Sequence, residues 1–290
     1  MDHPSNDRKS VLMFITAVLI FGTVGIFRRF IPFSSAFLAF SRGILGGLFL
    51  LLYMKLKGKT CAKLPWPVLG RLALTGAVMG LNWILLFEAY NETSVQVATL
   101  CYYMEPVIVI LASSVLFKEK LTRRKAICSA LAFLGMVLVS GVLESGGVRG
   151  GEMKGILLGL LAALLYSCVV LMNKRAAGID PFEKTVIELA ASALVMVPYL
   201  ALTEDFSAIT WSASAIALLS VAGIVHTGIA YALYFGSIDR LKAQTIALLS
   251  YIDPITALIL SALILHESLS IIGIAGAVLI LGSAVAGEME

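Results

Sequence analysis

Long apolar runs alternate with short polar connections along the whole chain. A helix rising about 1.5 Å per residue needs about 20 apolar residues to cross a hydrocarbon core about 30 Å thick. The pattern predicts ten such spans, at 11–30, 34–54, 68–90, 94–117, 123–142, 153–173, 182–202, 212–236, 242–265 and 270–287. A polar start, 1–10, carries Arg8 and Lys9 ahead of the first run, and no small-residue cleavage site follows. That first run is therefore expected to be a retained span rather than a removed signal.

Composition agrees with the pattern. Of 290 residues, 59% are hydrophobic and 14% charged, and the mean hydropathy is +0.96. Soluble domains are about half apolar and a quarter charged. The expected class is an all-α, polytopic membrane protein. The net charge of +4 lies in loops and is not read as a nucleic-acid surface. With the N-terminus placed inside, 17 of the 22 Lys and Arg fall on the cytoplasmic side. Outside are Arg28, Arg29, Arg149 and Lys154, and Arg42 lies within a span. The bias fixes the expected orientation, with both termini cytoplasmic.

A second pattern lies over the first. The stretch Gly80–Leu121 recurs at Gly228–Leu269, displaced by about 148 positions. Leu85 aligns with Leu233, Phe87 with Phe235, Tyr103 with Tyr251, Pro106 with Pro254 and Glu119 with Glu267. At the centre of each copy an acid precedes a proline, Glu105-Pro106 and Asp253-Pro254. The predicted division is a first repeat at 11–142, an extracytoplasmic glycine-rich linker at 143–152 and a second repeat at 153–287. Five spans per repeat, an odd number, make the second half enter the membrane from the opposite side. The charges agree. Lys118 to Lys125 holds five basic residues, and its counterpart His266 to Ser270 holds none. Inverted repeats of this kind mark secondary transporters, whose substrate site lies near the midplane.

The runs Ala98-Thr99-Leu100-Cys101-Tyr102-Tyr103-Met104-Glu105-Pro106-Val107 and Lys118-Glu119-Lys120-Leu121-Thr122 carry a family resemblance. So do their echoes, Leu248-Leu249-Ser250-Tyr251-Ile252-Asp253-Pro254 and His266-Glu267-Ser268-Leu269-Ser270. Over essentially its whole length the chain resembles the drug/metabolite transporter superfamily, in its ten-helix EamA-like branch. The resemblance implies two inverted five-helix repeats, with helices one to four and six to nine around a central cavity. It also implies a cargo of amino acids, amines or other small metabolites, often carried outward and against protons. Glu88 departs from the family, which commonly has an uncharged residue there, so no role carries over to it.

An ionisable group in the hydrocarbon core costs at least about 2.5 kcal/mol, so each is a functional candidate. Counted from the outer end of each span at about 1.5 Å per residue, Arg42 and Asn82 lie about 12 Å deep, Glu105 about 16 Å and Asp253 about 18 Å. These four define a midplane layer. His226 and Glu188 lie about 21 Å deep. Tyr102 shares the helical face of Glu105. Tyr103 and Tyr251, two residues from the acids, point elsewhere and read as packing residues. The acids have three readings: binding a substrate amine, exchanging protons with the cavity, or shaping the helix, with Glu105 neutralised by Arg42. From depth and charge, Arg42 is expected to pair with Glu105 or to hold a substrate carboxylate, with Asp253 the freer acid. Pro106 and Pro254 should kink both helices, as gating hinges or as fixed bends.

Asn82 and Trp83 are read as cavity lining or packing. His226 and Tyr234 share a face of the eighth span, with Tyr231 offset, and His226 is either hydrogen-bonded structure or a proton relay. Glu188 forms a polar stripe with Thr185 and Ser192. The glycine pairs Gly43–Gly47, Gly76–Gly80 and Gly155–Gly159 predict close helix packing within the chain. Cys101, Cys128 and Cys168 lie in apolar runs and Cys61 in a basic loop, which is no disulfide framework. No HExxH or CxxC occurs, and no metal or other cofactor is expected. The sequence thus reads as a secondary transporter of the inner or plasma membrane, working by alternating access and most simply a monomer, with a homodimer as the alternative. Its expected partners are a small-molecule substrate, the bilayer and coupling protons. The rival classes are an integral-membrane enzyme and a passive channel.

Overall fold

A computed structural model describes residues 4–59, 64–93, 95–139, 142–143, 153–264 and 270–288. The linker 144–152 and the loop 265–269, which holds Glu267, lie outside the described residues. Among the described residues the structure is helical and contains no strand. Helix α1 (Pro4–Phe30) is followed by α2 (Ser35–Leu56), α3 (Trp66–Glu92), α4 (Val95–Tyr102), α5 (Glu105–Leu116) and α6 (Arg123–Val139). Then come α7 (Met153–Arg175), α8 (Pro181–Thr203) and α9 (Ala213–Gly223), which runs through a π-helical turn (Ile224–Ile229) into α10 (Ala230–Ile238). Helices α11 (Ala243–Ser250), α12 (Ile252–Ile264) and α13 (Ile271–Glu288) complete the chain. The polar start is therefore helical from Pro4, a residue suited to a first helical turn.

Among the described residues six helical segments are long and apolar enough to cross a membrane: Ser35–Leu56, Trp66–Glu92, Val97–Leu116, Met153–Arg175, Pro181–Thr203 and Ala213–Ile238. Their outward faces carry large apolar side chains, with Leu194 72% and Val115 77% exposed. That surface suits lipid, not water.

The prolines decide where two spans are interrupted. Proline has no N–H and its ring collides with the carbonyl four residues back. Four residues before Pro106 is Tyr102, where α4 ends; four before Pro254 is Ser250, where α11 ends. Each expected kink is thus a short break, at Tyr103 and Met104 and at Tyr251, and each acid falls in the first turn of the helix that follows.

The helix starts are capped locally. Ser34 Oγ accepts from Phe37 N–H at 3.0 Å, and Asp180 Oδ1 accepts from Phe182 N–H at 3.0 Å. The duplication extends to the caps. Thr122 Oγ1 accepts from Lys125 N–H at the start of α6, and Ser270 Oγ, 148 positions on, accepts from Gly273 N–H at the start of α13.

The chain forms two compact units, and neither is one sequence repeat. The first comprises 1–84 and 172–240, the second 85–171 and 241–290. In the first unit α2 packs on α8 and on the π turn, and α1 packs on α10. Small residues permit this. A Cβ on Gly46 would stand 2.9 Å from Gly223 O and Gly228 N, and one on Gly76 would stand 2.2 Å from Glu188 O. In the second unit α6 runs along α13, burying Ala132, Met136 and Ile280 with Tyr251 and Ile255. The Gly76–Gly80 pair packs against α8, and Gly155–Gly159 against Thr93 and Cys101, within the chain as expected. In α2 it is Gly46, not the pair Gly43–Gly47, that makes the tight contact.

Candidate functional site

In the second unit the two interrupted helices bring the acids and tyrosines of both repeats together. Glu105 is the first residue of α5 and is 4% exposed. Its Oε1 is buried and has no hydrogen-bond partner among the described residues. Its backbone carbonyl accepts from Ser167 Oγ at 3.3 Å. Asp253 is half-buried, with Tyr103 and Tyr90 as its electrostatic neighbours. Tyr251 is fully buried and is the electrostatic neighbour of Glu105. Its own hydroxyl donates to the Tyr103 carbonyl at 3.4 Å. Tyr102 turns to Tyr166, with ring centroids 5.8 Å apart.

Tyr103 and Tyr251 take the packing role expected of them, with one contact across the repeats. Helical spacing places them off the acids of their own repeat, and they do pack in the apolar cluster around Met136. The Tyr251 hydroxyl also meets the backbone of the other repeat, at the Tyr103 carbonyl. Spacing along one helix carries no information about contacts between helices. The duplication of both tyrosines was the signal that could have found them.

In the first unit the polar residues gather on the π turn. An extra residue per turn frees carbonyls at its start, and side chains take them. Thr227 Oγ1 donates to Ala222 O at 2.9 Å, and His226 Nδ1 lies 3.4 Å from Val221 O. Thr227 Oγ1 also accepts from Arg42 Nε at 3.0 Å. The Arg42 guanidinium stands 5.9 Å from the Trp83 ring centroid, and Trp83 is 6.4 Å from Tyr231. His226 Nε2 lies 2.7 Å from Thr23 Oγ1, and its ring meets the edge of Phe27 at 4.6 Å. The structure therefore joins Arg42, Trp83 and His226. Asn82 is fully buried in the same unit.

Tyr234 sits against Phe14 at 4.9 Å and Phe21 at 5.8 Å, while Tyr231 is the ring beside Trp83. Regular helical spacing pairs His226 with Tyr234. The π turn shifts every later residue, so the offset Tyr231 takes the place beside the charged group.

A profile of the EamA-like transporter family matches residues 8–141 and again 153–286. The chain belongs to the EamA-like transporter family. It is 31% identical over 262 residues to an "Uncharacterized transporter YxxF" of Bacillus subtilis (strain 168), covering 88% of this chain and 82% of that protein. It is 27% identical to "Protein PecM" of Dickeya dadantii (strain 3937), over 87% of this chain and 82% of the other. A "Probable amino-acid metabolite efflux pump" of Salmonella typhimurium is 29% identical over 57% of this chain and 58% of its own length. A solved crystal structure at 20% identity superposes with a TM-score of 0.85, over 96% of this chain and 97% of that one, which concerns the fold alone. The family and the names of the Bacillus and Salmonella relatives are of transporters rather than enzymes, and the chain is a multi-pass membrane transporter of the EamA-like group.

As an EamA-like chain it carries further buried acids on α8, Glu183 and Glu188. Glu188 on α8 is fully buried; its Oε2 accepts from Asn173 Nδ2 at 3.1 Å, and its Oε1 has no hydrogen-bond partner among the described residues. One turn earlier Lys184, also fully buried, donates to Phe235 O at 3.1 Å and to Asp239 Oδ1 at 3.2 Å. The hydroxyls of Thr185 and Ser192 bond carbonyls of their own helix, Pro181 O at 2.6 Å and Leu189 O at 2.9 Å. No group of three or more His, Cys, Asp or Glu with metal-binding geometry occurs among the described residues.

Proposed function

We propose that this EamA-like chain is a secondary active transporter that exports a small metabolite, an amino acid, an amine or a related compound, across the cytoplasmic membrane. It works by alternating access and exchanges cargo for protons. Its ten spans form two inverted five-helix repeats, both termini are cytoplasmic, and Pro106 and Pro254 are the hinges at the repeated acids. The amino-acid part of this reading draws support from the name of the Salmonella relative.

One observation carries it. The carboxyl of Glu105 is buried at the start of α5 with one oxygen lacking a hydrogen-bond partner among the described residues. Leaving a polar atom buried and unpaired costs about 1–3 kcal/mol. A proton or a cationic cargo group supplies what is missing, and Asp253, its repeat counterpart, is the second acid of the reading. Arg42 supports the same reading, because its partners, Thr227 and Trp83, are both neutral. A guanidinium with neutral partners can receive a cargo carboxylate bidentately.

The test is transport by purified protein in liposomes, recorded as capacitive current across a panel of amino acids and amines at several pH values. A saturable current that disappears in the double variant Glu105→Gln/Asp253→Asn is the expected result. A current unchanged in that variant would remove both acids from coupling. Flux that fails to saturate would mark a passive channel.

A further inference from the structure

The first unit holds a cavity of about 290 Å³, apart from the residues proposed to meet the cargo. Five segments wall it, through Met13 of α1, Phe49 and Tyr53 of α2, Phe182 of α8, Ile229 of the π turn and Leu233 of α10. Ile229 is exposed and the other five are half-buried, so the cavity opens on the surface of the unit. Its walls are apolar but for the Tyr53 hydroxyl. An amino acid or amine would leave its charged groups unpaired there, which excludes the cargo as its occupant.

The rim, in contrast, is charged. The rings of Tyr53 and Phe182 stand 5.2 Å apart. Each has a lysine over it: the Lys57 ammonium is 6.0 Å from the Tyr53 centroid, and the Lys59 ammonium is 4.8 Å from that of Phe182. The turn that presents them is fixed by the backbone. Gly58 takes φ of 65°, Gly58 N–H donates to Lys55 O at 3.1 Å, and Lys59 N–H donates to Met54 O at 2.9 Å, closing the end of α2. Lys59 Nζ is paired with Asp180 Oδ2 at 2.8 Å. Glu183, the next acid along the chain, is buried. Lys55 and Lys57 are exposed, and among the described residues no acid pairs with either. Positive charge is therefore left over beside an apolar interior.

We propose that this cavity and its rim bind one anionic membrane lipid, with an acyl chain in the cavity and the headgroup phosphate at Lys57. A lipid meets both halves of the site. Its chain needs no hydrogen-bond partner, and its phosphate lies at the end of the span, where the lysines stand. Leu52 and Leu56, 56% and 77% exposed, carry the apolar surface of α2 up to those lysines. Pockets for whole small ligands run about 300–1,000 Å³, so a cavity at the small end of that range suits one chain better than a compact molecule. A zwitterionic headgroup would bring its own cation beside Lys57, whereas an anionic one brings none.

Native mass spectrometry of the full chain tests this. Protein in detergent is given equal amounts of phosphatidylglycerol and phosphatidylcholine with identical acyl chains, and the retained lipids are counted. One phosphatidylglycerol per chain should be retained, in preference to phosphatidylcholine by about fivefold, the equivalent of about 1 kcal/mol for one lysine at an anionic headgroup. Lys57→Gln should remove the preference and Lys57→Arg should keep it. Leu233→Trp fills the cavity from a half-buried wall and should abolish retention of both lipids. Ile229→Trp should do the same from the exposed wall, and melting temperatures equal to that of the wild type identify the variants that are folded.

Equal retention of the two lipids by the wild type overturns the headgroup assignment. A phosphatidylglycerol preference that survives Lys57→Gln, or retention that survives the folded tryptophan variants, puts the lipid elsewhere and overturns the site. Complete displacement of phosphatidylglycerol by inorganic phosphate would mean that the acyl chain contributes nothing, which overturns the cavity's part. Dimers that the tryptophan variants convert to monomers would put a second copy of the chain in the cavity and overturn the lipid.

Discussion

Glu119 lies in the connection after α5, and its two carboxylate oxygens accept the backbone N–H groups of Ala243 and Gln244 at 2.9 and 3.2 Å. These are the first two residues of α11, whose own flanking residue, Lys242, provides no side-chain cap. A carboxylate at a helix N-terminus satisfies orphan donors and meets the positive end of the dipole. Glu119 is aimed there by Lys118, which adopts a left-handed backbone with φ of 56°. The sequence shows Glu119 as a repeated acid after a repeated proline helix, but its target lies 124 residues away and leaves no local signature. Replacing Glu119 by Ala should cost about 1–2 kcal/mol, seen as a lower melting temperature in detergent. Glu119→Gln keeps an acceptor and should lose less. Equal melting temperatures for wild type and Glu119→Ala would show that the cap contributes nothing.

The helices differ in how far the chain announces them. The interruptions after Tyr102 and Ser250 follow from proline chemistry, which names the carbonyl that must be displaced. The π turn at Ile224–Ile229 contains no proline and could not be located that way. Its inserted residue is held by side-chain bonds from His226 and Thr227 and by Gly46 of α2, a tertiary contact. That is why Arg42, Trp83 and His226 were legible as polar residues in apolar runs, while Tyr231 was not. Pro106→Ala tests whether the interruption serves movement. Alanine restores an N–H able to bond the Tyr102 carbonyl, so α4 and α5 can join into one helix. The expected outcome is a higher melting temperature with reduced transport. Raised stability with full transport would make the break a fixed bend.

Each compact unit takes segments from both halves of the sequence, so the duplication and the units divide the chain differently. The first was readable from aligned residues such as Glu105 and Asp253. The second was not, because hydropathy locates a helix in the bilayer without saying which neighbour it packs on. The residues expected near the midplane are divided accordingly, with Arg42 and Asn82 in the first unit and Glu105 and Asp253 in the second. The side of the membrane reached by each connection follows from the basic residues alone, and equivalent points of the repeats provide its test. Arg123 begins α6 and Ile271, 148 positions later, begins α13; both are exposed. Parallel repeats would put these two residues on the same side, and inverted repeats put them on opposite sides. Single cysteines at the two positions, in a chain freed of its four native cysteines, separate the cases in intact cells. A thiol reagent that cannot cross the membrane should label Ile271→Cys and spare Arg123→Cys until the cells are opened. Five basic residues between Lys118 and Lys125 predict that the first connection lies inside, and labelling of both cysteines from outside would mean that this charge does not set the topology.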